Sequence, residues 1–246
     1  MSSKTAVLSD IHSNLVALNA VLADVEAQGI ERIICLGDIV GYASGVRSCL
    51  RKIRSLGCPV VLGNHDEAAC LGDVPLDFNP TARVGALFSA QRLQDEDKEW
   101  IRSLPRRLEI DGVEYFHASL ESLMHWPYIA NEWDAKRHFV HQSTPLAFCG
   151  HTHHPAVWFQ AVPQGAVMVS DGVGNKILPC NGKSVVNVGS VGQPRDGDPR
   201  GCYVIHDPEA RTVEFRRVTY DVRRMKKNIF RAGLPRFSGQ RLTLGR

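Results

Sequence analysis

The sequence predicts an α/β protein: a four-layer α-β-β-α sandwich of two mixed β-sheets flanked by helices. Three observations carry that expectation. The first third of the chain alternates short apolar runs with stretches of helical spacing. The last half is a succession of strand-like runs punctuated by Gly, Pro, Asn and Asp, too many strands for one simple doubly wound sheet. The 246 residues, 43% of them apolar, suffice for one large domain with a proper core.

Taken in order, Thr5 to Leu8 reads as a buried strand. Leu15, Leu18, Val21, Leu22 and Val25 then recur at helical spacing, and Gly29 suits the end of that helix. Arg32 to Leu36 is the second strand, Val46 to Leu56 a helix closed by Gly57, and Pro59 to Leu62 a third strand, giving β-α-β-α-β with parallel strands expected. Asp66 to Leu104 reads as mainly helical; Asp95, Glu96 and Asp97 suit a helix N-terminus, and Pro105 stops the segment. Strand-like runs follow at 109–116, 145–149, 156–160, 166–169, 184–188, 202–206 and 211–218. Val222, Met225 and Ile229 lie at helical spacing, so 219–246 is expected to be a basic C-terminal helix and tail packed on a single domain spanning 1–246.

A formal net charge of +3 is too mild for a protein that wraps a polyanion, but the charge is unevenly placed. Residues 216–246 carry ten basic side chains and one acid, Asp221, so the body is mildly acidic and the tail basic. The run Arg223, Arg224, Lys226 and Lys227 reads as the solvated face of a surface helix, and nucleic acid is not a favoured partner. Seven cysteines without a C-x-x-C pair argue against a disulfide framework and against a cysteine zinc knuckle. With no cationic and apolar leader and no apolar stretch long enough to cross a bilayer, a cytoplasmic protein without membrane attachment is expected.

The chemistry is carried by Asp, His and Asn residues placed where strands end. Asp10 and His12 follow the first strand, Asp38 the second, and Asn64, His65 and Asp66 the third. His117 follows the run ending at Phe116; His151 and His153 follow the one ending at Cys149. Ligands of open α/β sheets sit beyond the carboxyl ends of parallel strands, so these loops can converge on one rim. Capping or turn roles for Asp10, Asp38 and Asn64 explain each alone but not the ordered set, because caps and turns need no imidazoles. Carboxylate, amide oxygen and imidazole together suit borderline divalent ions such as Mn, Fe, Zn, Ni or Co, and these groups are too many for one ion. Two ions bridged by a carboxylate polarise a phosphoryl group and bring the pKa of a bridging water toward neutrality. Gly37, Gly63 and Gly150, each just before a candidate ligand, fit close backbone approach.

Asp10-Ile11-His12, Gly37-Asp38, Gly63-Asn64-His65-Asp66, His117 and Gly150-His151-Thr152-His153 resemble, in order and spacing, the five blocks of the calcineurin-like metallophosphoesterase superfamily. The segment from Asn187 to Gly197 is similar to one in its small bacterial and archaeal phosphatases and phosphodiesterases. The resemblance implies one ion on Asp10, His12, Asp38 and His153, and a second on Asp38, Asn64, His117 and His151. It further implies a metal-bridging hydroxide as nucleophile and His65 as an uncoordinated imidazolium acid. Unlike the serine/threonine phosphatase branch, the chain has Ile39-Val40-Gly41-Tyr42 after Asp38, so the usual carboxylate partner of the catalytic imidazole is absent; Asp66 is the candidate replacement. Arg195 is the candidate phosphate clamp, its guanidinium fork suited to two-point contact.

The function expected is hydrolysis of a small or nucleotide-like phosphomonoester or phosphodiester. The alternatives are a nuclease or dinucleoside polyphosphate hydrolase, and a metal-bearing binding scaffold with weak catalysis. Trp126, Tyr128, Trp133 and Phe139 are expected to form a small satellite core rather than a substrate groove, and His125, His138, His141, His154 and His206 to serve packing or surface roles.

Overall fold

The structure is a computed structural model that describes residues 4–246 apart from 73, 76–77 and 163–164. In chain order the first half contains β1 (Thr5–Leu8), α1 (Leu15–Ala27), β2 (Arg32–Cys35), α2 (Val46–Ser55), α3 (Asn64–Leu71), α4 (Pro80–Ala90), α5 (Asp95–Arg102), β3 (Arg107–Ile110) and β4 (Val113–Phe116). The second half contains α6 (Glu132–His141), β5 (Leu146–Cys149), β6 (Ala156–Ala161), β7 (Val167–Asp171), β8 (Gly174–Ile177), β9 (Gly182–Asn187), β10 (Gly201–Asp207), β11 (Thr212–Val218), α7 (Val222–Arg231) and α8 (Arg236–Gln240), with one 3-10 turn at Arg241–Thr243.

The strands form two mixed sheets, ordered β2-β1-β10-β11-β8 and β3-β4-β5-β9-β6-β7. Alternation along each central strand sends side chains to different layers. In β1, Val7 faces the second sheet, together with Ile34, Val204, Phe148 and Val186. Its neighbours Ala6 and Leu8 face Leu18 and Val21 of α1, Leu50 of α2 and Met225 and Ile229 of α7. In β5, Phe148 joins the same inter-sheet layer, whereas Ala147 and Cys149 pack with Ala135 and Phe139 of α6. Helices, sheet, sheet and helix therefore stack as the four layers expected from the sequence. The buried Met225 and Ile229 face of α7 leaves its basic side chains outward.

Four differences have physical reasons. The third strand expected at Pro59 to Leu62 is reduced to a single parallel bridge between Cys35 and Val60, because the Leu62 N–H turns away to the Pro105 carbonyl. The run from Glu109 to Phe116 is part of a hairpin, with Asp111 and Gly112 at positive φ in its two-residue turn. Strand β8 is polar and lacks alternation; pairing with β11, not propensity, makes it a strand. Helix α6 announces itself only through Asn131, whose side chain accepts from the Trp133 and Asp134 N–H groups at its start. Of the segment read as mainly helical, residues 73 and 76–77 lie outside the described residues; α3, α4 and α5 occupy most of the rest.

Strands β1 and β2 run parallel in one sheet, and β4, β5 and β9 run parallel in the other. The loops after all five open on the same rim of the sandwich, and α3 begins there too.

Candidate metal centre

Backbone conformation shows first that this rim is specialised. Asp10, His12, Asp38, His151 and His153 all adopt positive φ, a region that residues with a Cβ enter at a cost. Asp10 does not cap the following helix; Asn14 does, accepting from the Ala17 N–H at 3.1 Å. Gly63 and Gly150 are cradles: a Cβ on Gly63 would overlap the Asp38 carboxylate, and one on Gly150 would overlap Ser9 and the Asp10 carboxylate.

The imidazoles are fixed by the main chain. Nδ1 of His12 donates to the Val40 carbonyl, Nδ1 of His153 to the Gln193 carbonyl and Nδ1 of His117 to the Leu36 carbonyl. Nε2 of His151 donates to the Trp126 carbonyl at 3.0 Å. A carbonyl only accepts, so each of these nitrogens carries a proton, and in the neutral rings the other nitrogen offers a lone pair. The consequence is plain at His12 and His153, whose Nε2 atoms face each other at 3.0 Å. Oδ1 of Asp10 lies 3.1 Å from His153 Nε2 and 3.6 Å from His12 Nε2, and is buried without a hydrogen-bond partner. Three facing acceptors repel one another unless a cation lies among them, so this donor set fits a divalent ion.

Asp38 links this group to the next. Its Oδ2 is 3.6 Å from His12 Nε2 and 3.4 Å from His117 Nε2, while its Oδ1 accepts from the His65 backbone N–H at 2.8 Å, the positive end of α3. His117 Nε2 also lies 3.1 Å from Asn64 Oδ1. Candidate ligand atoms of Asp10, His12 and His153 lie within 4.8 Å of one another, as do those of Asp38, His117 and His151. The structure thus brings Asp10, His12, Asp38, Asn64, His117, His151 and His153 to one rim.

Electrostatics agree. Burial works against charge on Asp38, yet the protonated ring of His117 holds its carboxyl below the usual carboxylate range. Burial pushes His151 and His153 down to about 3, so both rings are neutral at pH 7. His117 is also buried, but Asp38 raises it to about 9; a proton there takes the place a cation would take in balancing the carboxylate.

Two expectations about His65, the candidate catalytic imidazole, need correction. Asp66 does not orient His65: it is turned back, accepting from the Val40 N–H at 3.0 Å and the Gly63 N–H at 3.3 Å, and so ties two site loops together. Burial raises its pKa to about 7, with Asp38 adding to the effect. His65 is instead wedged between aromatic rings, its centroid 4.8 Å from those of His12, Tyr42 and Phe78. Burial holds its pKa well below the ordinary value, with Asp38 pulling the other way, so in the protein alone it is neutral rather than an imidazolium. Its Nδ1 is buried without a partner beside Gly41.

Arg195 lies at the same rim, donating to Gln193 Oε1 at 2.9 Å and to the Tyr42 hydroxyl at 3.3 Å, with Nε buried and unpaired. Several neighbours stand outside the site residues read from the sequence. Tyr42 stands between His12 and His65 on one side and Arg195 on the other. Trp126 places its ring edge-on to His117, donates from Nε1 to Glu67 and, with Tyr128 stacked on His151 at 4.1 Å, borders the site. The satellite-core expectation is therefore right for Phe139, which α6 buries against β5, and wrong for Trp126 and Tyr128; Trp133 is exposed. The loop carrying residues 118–131 brings the two rings to the rim, which spacing could not show. Arg241, from the C-terminal tail, also approaches the Tyr42 ring. The segment after α3 acts as a backing: Gly85 lies against Tyr42, and Ser89 Oγ accepts from Gly41 N–H. His138 and His206 are buried in packing roles, and His125 and His154 lie at the surface.

Seven candidate oxygen and nitrogen ligands gather at the strand ends of a four-layer sandwich, a donor set suited to a metal-dependent hydrolase. The chain belongs to the calcineurin-like phosphoesterase superfamily, whose domain profile matches residues 4–211, and is accordingly a phosphoester hydrolase. It is similar to a crystal structure of a metallophosphoesterase from Sphaerobacter thermophilus, with a TM-score of 0.86 and 37% identity over all of both chains. An uncharacterized protein of Methanocaldococcus jannaschii is 39% identical over the full length of both. A symmetrical bis(5'-nucleosyl)-tetraphosphatase of Pectobacterium carotovorum is 33% identical over 134 residues, 53% of this chain and 45% of that protein. The match thus spans less than half of the tetraphosphatase. No helix among the described residues is long and apolar enough to cross a membrane.

Proposed function

We propose that the chain is a dinuclear metal-dependent hydrolase of small phosphoesters. The observation that carries this reading is the position of Asp38, whose Oδ2 faces His12 on one side and His117 on the other. Asp10, His12, Asp38 and His153 would hold one ion, and Asp38, Asn64, His117 and His151 the other. When bound, such ions polarise a phosphoryl oxygen and make water nucleophilic at neutral pH. The chain's own residues do the rest. Arg195 offers its fork to the nonbridging phosphate oxygens. His65 is the hydrogen-bond donor to the leaving oxygen: neutral when buried alone, it gains proton affinity as an anionic phosphate enters and stabilises the departing alkoxide. Asp66 keeps the loops bearing Asp38 and His65 in register through its two backbone contacts.

The test is to strip the protein with chelator, reload it with Mn, Ni, Co or Zn, count bound metal, and assay bis(p-nitrophenyl) phosphate and p-nitrophenyl phosphate. Two ions per chain and metal-dependent turnover are expected; absence of turnover on both esters and on a nucleotide panel overturns the reading. Hydrolysis of a dinucleoside polyphosphate is the second reading, favoured by the similarity to tetraphosphatases.

A further inference from the structure

The tail after α7 does more than cover the core. Leu234 and Leu242 anchor it in the helical layer that also holds Met225 and Ile229, and a hydrogen bond from Gly197 N–H to the Gly245 carbonyl ties it to the loop that carries Arg195. Between these anchors Arg241 is brought to the Tyr42 ring, its guanidinium carbon 5.9 Å from the centroid; that of Arg195 is at 5.7 Å. Tyr42 is itself buried against His12 and His65. Two guanidinium groups thus share one aromatic ring at the edge of the ligand cluster.

Among the described residues neither Arg195 nor Arg241 has an Asp or Glu within ion-pair distance, although carboxylates stand close by in sequence. Asp196 and Asp198 are taken by Arg217 and Arg200 instead. Arg241 Nε donates to the Arg246 main-chain oxygen, which leaves its terminal nitrogens to other partners. Burial, reinforced by the like charge of Arg195, lowers the pKa of Arg241 to about 10. Two like charges held near one ring, with no Asp or Glu of the described residues within ion-pair distance of either, favour an anion between them.

We propose that Arg241, with Arg195 and Tyr42, forms a second anion position beside the metal cluster, so that the preferred substrate carries at least two phosphoryl groups in series. Arg195 serves the phosphoryl group being cleaved and Arg241 the one next to it, which selects a diphosphate linkage over a simple monoester. This rests on the phosphoester-hydrolase reading above and names its substrate class.

Binding can test it without turnover. Titration calorimetry of the metal-loaded, full-length protein with the uncleavable analogues of adenosine 5'-diphosphate and adenosine 5'-monophosphate, in which methylene replaces the scissile oxygen, gives the ratio of the two affinities. Wild type is expected to prefer the diphosphate by about tenfold, the worth of one charge-assisted contact. Arg241→Ala should bring the ratio toward one, and Arg241→Lys should retain part of it. Thermal melting of both variants accompanies the titrations. A ratio unchanged in a folded Arg241→Ala protein, or a wild type without preference, overturns the proposal and leaves the hydrolase reading standing. A lower melting temperature with the ratio intact makes Arg241 a tie for the chain end and likewise overturns it. Failure of the hydrolase reading shows separately, as absence of metal-dependent ester turnover.

Discussion

The two sides of the proposed site, one for cations and one for anions, are built by different means. On the cation side, His12, His117, His151 and His153 each give one ring nitrogen to a main-chain carbonyl, and Asp10 and Asp38 receive backbone N–H groups from His151 and His65. On the anion side, Arg195 donates to the Tyr42 hydroxyl and, with Arg241, places its guanidinium near the Tyr42 ring, and Arg241 arrives on the tail. The first arrangement is set once the sheets form, because carbonyl positions follow from the backbone. The second depends on packing between segments separated by about 150 to 200 residues of sequence. Changes on the cation side should therefore remove ions and abolish chemistry, whereas those on the anion side should weaken substrate affinity and leave the ions in place.

The largest expected effect tests the bridge. Asp38→Asn should lose metal and reduce turnover by at least about 10³-fold, the loss expected when charge stabilisation of the transition state is removed; full metal content measured by plasma mass spectrometry would dissolve the distinction between the two sides. His65→Ala comes next. It should keep its metal while turnover falls by about 10² to 10³-fold, within the range for a positioned proton donor. Metal loss equal to that of Asp38→Asn would make His65 a ligand instead.

A third prediction concerns His138, whose ring packs against Phe116. His138 Nδ1 accepts from the Leu120 N–H at 3.2 Å, so its Nε2 must donate to Gln142, 3.1 Å away, and the ring has to be neutral. Burial lowers its pKa to about 4, against 6.5 in the unfolded chain. Between those values the unfolded state binds the extra proton, so this contribution to stability is complete above 6.5 and drains away as the pH falls toward 4. From pH 7 to pH 5 it should amount to about 2 kcal/mol, read as a shift in urea midpoint. His138→Gln should flatten that part of the profile; an identical acid sensitivity in the variant would acquit this residue. The smallest effect belongs to the anion side. Arg195→Lys keeps the charge but loses the fork, and should raise KM for bis(p-nitrophenyl) phosphate by about tenfold with kcat and bound metal little altered. A collapse of kcat with unchanged KM would place Arg195 in the chemical step.

Much of the cation side could be read in advance because each ligand lies at the end of an apolar strand, and strand ends in parallel sheets converge. Asp10, Asp38 and His117 are legible for that reason, and Gly63 and Gly150 because only a missing Cβ clears the adjacent carboxylates. The anion side was only partly legible. Arg195 stood out in a glycine-rich loop, but Arg241 looked like one basic residue among ten in the tail, and Tyr42 like a departure from a motif. Asp66 misled because adjacency in sequence suggested a shared task, whereas the first turn of α3 points its carboxylate back toward the Val40 and Gly63 N–H groups.

The sequence by itself determined the two-sheet sandwich, the order of its central strands along the chain and the identity of the groups gathered at its rim. Those follow from periodicity and from local strand-to-loop transitions, which neighbouring residues decide. Only the tertiary structure decided which nitrogen of each imidazole is free, that His65 is neutral among aromatic rings, and that the tail returns to set Arg241 beside Tyr42. Those outcomes depend on carbonyls, rings and charges brought together from distant positions, and no local pattern encodes such meetings.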